Sequence, residues 1–132
     1  MKEIIIHCAA TPNGNHFTAE EIHRWHLGRK WSGIGYHYVI RVDGVLEVGR
    51  PEYWTGAHAK GHNTDSIGIC LIGTDKYNLD QWSILKKLLT KLSAKYIGAK
   101  IIGHNEISNK TCPGFDVQEW LKKEFYKEYK SS

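Results

Sequence analysis

Short apolar runs along this chain alternate with longer stretches whose apolar residues recur at helical spacing. The run Ile4-Ile5-Ile6 is too short for a helix and too apolar for an exposed edge, so residues 2 to 8 are expected to form a buried strand. Strand parity puts Ile5 and His7 on one face, and Ile6 and Cys8 on the other. Cys8 is thereby expected as a small core residue pointing away from His7. A loop follows, and Thr18 then opens a helix, with Glu21 completing a capping box and Phe17 set against Ile22 as a hydrophobic staple. This helix runs through Trp25 and stops near Gly28; His16, His23 and His26 are read as surface or interface residues.

Two β-rich runs, Tyr36 to Val42 and Val45 to Val48, flank Asp43-Gly44 and predict a hairpin whose two central turn residues both take positive φ. Tyr36, Tyr38 and Ile40 are expected on one face of it. Residues 49 to 65 carry Gly49, Pro51, Gly56, Gly61 and Asn63, so they read as a long surface connection holding His58 and His62. The apolar stretch from Ser66 to Gly73 predicts a central strand with Cys70 in the core. Asn78 and Gln81 cap a second helix, with Tyr77 and Trp82 as its staple. Its buried face is Trp82, Leu85, Leu88, Leu89, Leu92 and Tyr96, and Gly98 ends it. Lys100 to Gly103 is a short last strand, and Asp116 with Glu119 opens a third helix. The fold class is therefore mixed α/β, with a central mixed sheet of about five strands flanked by about three helices. In such a sheet the ends of the first and last strands can set His7 beside His104.

Composition adds bounds. At 132 residues and 15.1 kDa, with 41% hydrophobic and 24% charged residues, residues 1–132 are expected as one globular domain. The core is expected over about residues 3 to 122, with a frayed tail from 126 to 132. The first residues lack a secretory h-region, and no stretch reaches membrane-spanning length. Synthesis without a signal peptide and no membrane insertion are the expectations. Three cysteines at unrelated spacings argue for reduced thiols. A net charge of +4 and a pI near 8.9 favour anionic partners. The lysines are dispersed and no nucleic-acid reader motif is present, so nucleic acid is not expected. A polyanionic cell wall suits the charge.

The chemistry gathers in Gly103-His104-Asn105-Glu106 and Asn109-Lys110-Thr111-Cys112-Pro113-Gly114, too rich in turn-forming residues to be a regular element. Imidazole and thiolate are good zinc donors, and three protein ligands leave a fourth position open to a reactive water. His7, at the end of its strand, is the proposed third donor. The motif holds no obvious glutamate base; Glu106 is read as a structural support beside the ligands.

His7-Cys8-Ala9-Ala10-Thr11, Gly35-Tyr36-His37-Tyr38, Asp43-Gly44, Gly56-Ala57-His58-Ala59-Lys60-Gly61, Ser66-Ile67-Gly68-Ile69 and Lys110-Thr111-Cys112-Pro113 together carry a resemblance. The chain resembles the zinc-dependent N-acetylmuramoyl-L-alanine amidases of the type 2 family, which share a fold with the peptidoglycan recognition proteins. The resemblance implies one zinc ion on His7, His104 and Cys112, with Tyr36 and Lys110 as catalytic side chains. It implies that His58 touches the muramyl peptide. The activity implied is hydrolysis of the amide between N-acetylmuramic acid and L-alanine in peptidoglycan, by a bacteriolytic phage or prophage endolysin acting on the wall with holin help, as a monomer. The alternatives are a non-catalytic muramyl-peptide binding module, a cytoplasmic recycling amidase and a structural zinc protein. One phage member restrains its RNA polymerase through an N-terminal segment; this chain begins later, so polymerase binding is not expected.

Overall fold

The computed structural model describes residues 1–126. Its strands are β1 (Glu3–Cys8), β2 (Tyr38–Ile40), β3 (Leu46–Val48), β4 (Ser66–Leu71) and β5 (Lys100–Gly103), in the sheet order β3-β2-β4-β1-β5. Strands β2, β4, β1 and β5 run parallel, and β3 pairs antiparallel with β2. All four parallel strands therefore end at one edge of the sheet, where open α/β folds place their ligands. The Ile6–Gly103 pair closes the β1–β5 register. One residue further on lie His7 and His104.

Helices α1 (Ala19–Gly28) and α2 (Leu79–Lys95) cover opposite faces of the sheet. The larger core packs Ile4, Ile6, Ile67, Ile69 and Leu71 against Leu85, Leu88, Leu89 and Leu92 of α2. Helix α3 (Val117–Trp120), continued by wider turns over Leu121–Phe125, packs Val117, Leu121 and Phe125 into the same core. The smaller core joins Ala19 and Ile22 of α1 to Ile34, Val39, Cys70 and Ile72. Strand β1 is covered on both sides, with Ile4, Ile5 and Ile6 fully buried. At about 25 cal/mol per Å² this burial supplies most of what holds the sheet.

The capping boxes of α1 and α2 form as expected. Thr18 and Glu21 bond reciprocally, as do Asn78 and Gln81. At α3 Asp116 accepts from the Glu119 N–H. Two expectations need correction. The hairpin turn has positive φ at Gly44 alone, with the Gly44 N–H on the Arg41 carbonyl, because the loop is longer than two residues. Strand β2 begins only at Tyr38, so Tyr38 and Ile40 face the larger core while Tyr36 packs against the smaller one. Of the expected tail only Tyr126 is described, with φ −66° and ψ −29°; the rest lies outside the described residues.

Candidate metal centre and its cleft

Beyond β5 the chain turns through a short 3-10 segment, His104–Glu106. Glu106 braces this turn by accepting the Gly103 N–H at 2.6 Å, and Ser108 donates to the His104 carbonyl at 2.9 Å. Glu106 is thus a structural support, as its position suggested. The return loop carries Cys112 and is pinned from α2's side by the Tyr77 hydroxyl, which donates to the Pro113 carbonyl at 2.7 Å. These anchors bring the loop against the end of β1. His7, His104 and Cys112 each offer one ligand atom, and the three atoms lie within 4.8 Å of one another. Among the described residues no other His, Cys, Asp or Glu completes such a group.

Cys8 is closer to this group than strand parity suggested. Its backbone N–H donates to the Cys112 sulfur at 2.8 Å, and its thiol is in hydrogen-bond contact with the Cys112 side chain. The last residue of a strand is no longer held to the alternation of the ladder, so the Cys112 loop can fold over it.

A cavity of about 240 Å³ opens on the group. His7, Tyr36, His58, His104, Lys110 and Cys112 all line it, so the six residues to which the resemblance gives a role meet there. The His7 ring centroid lies 4.4 Å from that of His104 and 5.2 Å from that of Tyr36. No carboxylate among the described residues lines this cavity. A second cavity of about 610 Å³ shares His58, His104 and Lys110 with it, giving the centre an extended cleft. Trp31 stands 40% exposed at the boundary of the two.

The electrostatics follow from burial. Desolvation lowers the pKa of His7, aided by the charges of His58, His104 and Lys110, and desolvation then Lys110 lower that of His104. Both imidazoles are therefore neutral at pH 7 and available as donors to a metal. Burial pushes the Tyr36 phenol well above its ordinary value, so it stays protonated and acts as a hydrogen-bond donor.

The long connection at 49–65 is less solvated than its composition implies. Gly56 and Ala59 are buried, and His58 lies against β4, where a side chain at Gly68 would meet the His58 ring at 2.5 Å. His62 belongs elsewhere: it pairs with Glu3 at 2.9 Å, at the far end of β1. His23 and His26 also depart from the surface reading. The His23 Nδ1 accepts the Ile34 N–H and the His26 Nδ1 accepts the Gly35 N–H, both at 3.0 Å, which fixes the segment leading to Tyr36. Ala19, Ile22 and His26 share one helix face at spacings of three and four, a signal the sequence did contain. His37 is fully buried, its Nδ1 accepting the Gly68 N–H where β2 has not yet begun.

A mostly parallel mixed sheet with a His, His, Cys group at its carboxyl edge defines an α/β protein with a candidate metal site. Residues 1–115 match the family model described as N-acetylmuramoyl-L-alanine amidase, and the chain belongs to that family. It is 42% identical to the endolysin of Escherichia phage T7 over 128 residues, covering 91% of this chain and 85% of that protein. The N-acetylmuramoyl-L-alanine amidase LysC from Clostridium intestinale superposes with a TM-score of 0.83 at 34% identity, over 92% of this chain and 82% of that one. Drosophila PGRP-LB gives a TM-score of 0.80 at 29% identity, over 92% and 80% of the two chains.

Proposed function

We propose that this protein is a zinc-dependent N-acetylmuramoyl-L-alanine amidase that cuts the amide joining N-acetylmuramic acid to L-alanine in peptidoglycan, acting as an endolysin. The observation that carries the reading is the convergence of His7, His104 and Cys112 at the carboxyl edge of the sheet, in a cavity that no carboxylate of the described residues lines. Two neutral imidazoles and a thiolate suit zinc, and no fourth protein ligand is at hand among the described residues. Bound there, zinc supplies Lewis acidity and lowers the pKa of water toward ~7.

The residues around the ion do the rest. The Tyr36 phenol, protonated and facing His7, donates a hydrogen bond to the oxygen that gains charge as the amide carbonyl becomes tetrahedral. The Lys110 ammonium adds fixed positive charge on the other side of the cleft, where its field already reaches His7 and His104. With no glutamate among the described residues on the cavity wall, Tyr36 and Lys110 are the groups placed to steer a proton to the leaving amine. The extended cleft gives room for a peptide stem beyond the scissile bond. No helix among the described residues is long and apolar enough to cross a membrane.

Purified protein incubated with peptidoglycan is expected to release free L-alanine amino termini without new reducing sugar ends. Reducing ends would make it a glycosidase. Binding of the wall with neither product would make it a recognition module, and either result ends this reading.

A further inference from the structure

We propose that His58 and Ser66 form a hydrogen-bond relay that fixes the tautomer of His7, so that His7 meets the metal through Nδ1. His58 is then a positioning residue, not a substrate hydrogen-bonding group. The inference rests on the metal centre assigned above and concerns how this chain prepares it.

The direction of the relay follows from counting protons. The Ser66 hydroxyl lies 3.3 Å from the Asn63 carbonyl, which can only accept, so both Ser66 contacts are hydrogen bonds only when its single proton points there. Toward the His58 Nε2, at 3.1 Å, the same oxygen must accept, which places the His58 proton on Nε2. A neutral His58 then has a bare Nδ1. That nitrogen is 2.9 Å from the His7 Nε2, so His7 must donate and carries its proton on Nε2. The His7 Nδ1 is left with its lone pair free. In this arrangement every donor and acceptor along Asn63, Ser66, His58 and His7 is used once, whereas the reverse, with Ser66 donating to the His58 Nε2, gives up the Asn63 contact.

The surroundings hold the relay in place. Asn63 Oδ1 accepts the backbone N–H of both His58 and Ala59, at 2.8 and 2.9 Å, fixing the turn that presents the ring. Gly68, which pairs with Ile5 on the face that carries His7, leaves the space the ring occupies. A histidine bound to a metal usually donates its other N–H to a carboxylate or carbonyl, and here a neutral imidazole takes that part. With both of its nitrogens engaged inside the chain, His58 has none left for a muramyl peptide.

The test uses the full chain, zinc-free and zinc-loaded. Long-range proton–nitrogen NMR correlations are expected to show His7 and His58 as Nε2–H tautomers in the zinc-free protein, and the His7 Nε2 proton to persist with zinc. A His7 carrying its proton on Nδ1 overturns the proposal. Competition against a chromophoric chelator is expected to show His58→Phe binding zinc about 10- to 100-fold more weakly. His58→Asn, whose Oδ1 replaces the lost acceptor, recovers most of the affinity, and Ser66→Ala gives a smaller loss. With zinc saturating, His58→Phe keeps the wild-type KM. Wild-type zinc affinity in His58→Phe, or a raised KM at unchanged kcat, overturns the relay. Failure of the wild type itself to bind zinc sinks the metal centre instead, while the tautomers of the zinc-free chain still judge the relay.

Discussion

At Cys112 the sulfur takes the Cys8 N–H, while its thiol is pushed up by the hydrogen bond with the Cys8 side chain and by burial. A metal displaces that proton, so zinc affinity is expected to rise with pH, and calorimetry in buffers of different ionisation enthalpy should register proton release. Cys112→Ser is expected to lose zinc, read by metal analysis of the purified variant. Lys110→Ala and Tyr36→Phe are expected to keep zinc and lower kcat by about 100-fold or more, the scale of removing a group that stabilises charge in the transition state. Full turnover in either variant removes the role assigned to that residue. His104 and Cys112 were legible as candidates because an imidazole and a thiol in a turn-rich segment stand out, and His7 because it ends an apolar strand; Tyr36, Lys110 and His58 were legible through the family resemblance. Cys8, Ser66 and Asn63 were not, since nothing local marks the Cys8 amide as meeting a sulfur 104 residues away, or a serine at the start of β4 and a loop asparagine as holding His58.

Among the elements, α1 does more than cover the sheet. His26 and His23 accept the N–H groups of Gly35 and Ile34, holding Tyr36 against His7. His26→Leu leaves the buried Gly35 N–H without a partner, an expected cost of about 1–3 kcal/mol by urea denaturation, with His26→Asn recovering part of it. Burial, helped by the charges of Arg29 and Arg50, draws the His26 pKa down to about 4 from the ordinary 6.5. Between those values the unfolded chain binds the proton and the folded one resists it, so stability is expected to fall as pH drops from 6.5 to 4. A thermal midpoint unchanged across that window, or falling as steeply in His26→Asn, contradicts the assignment. Helix α2 has a similar double duty: Asn78 caps it and also donates to the Val42 carbonyl beside the hairpin turn at 2.7 Å. Asn78→Ala is expected to cost about 1 kcal/mol.

Across the whole molecule, two distant segments make one candidate ion site. Cys8 and Cys112 are in contact although 104 positions separate them. Any metal that binds the folded chain alone stabilises it by mass action, about 2.7 kcal/mol at 100 times Kd. Zinc is expected to raise the thermal midpoint, and exhaustive chelation to lower it and to abolish wall hydrolysis together. Activity that survives chelation removes the metal from the mechanism.

The sequence alone determined the elements and their order. Ile4-Ile5-Ile6, the apolar stretch after Ser66, and the reciprocal caps at Thr18 and Asn78 are local signals, written in hydrophobic period and in side-chain bonds three residues apart. The sequence also announced the donors of the metal centre. Tertiary structure alone decided what each histidine does. Whether an imidazole is solvated, clamps a backbone amide as His26 does, or orients a ligand as His58 is placed to do depends on which strand lies opposite it. That is a property of sheet order β3-β2-β4-β1-β5, and sheet order is set by burying both faces of β1 and β4 at once, a condition no single segment can express.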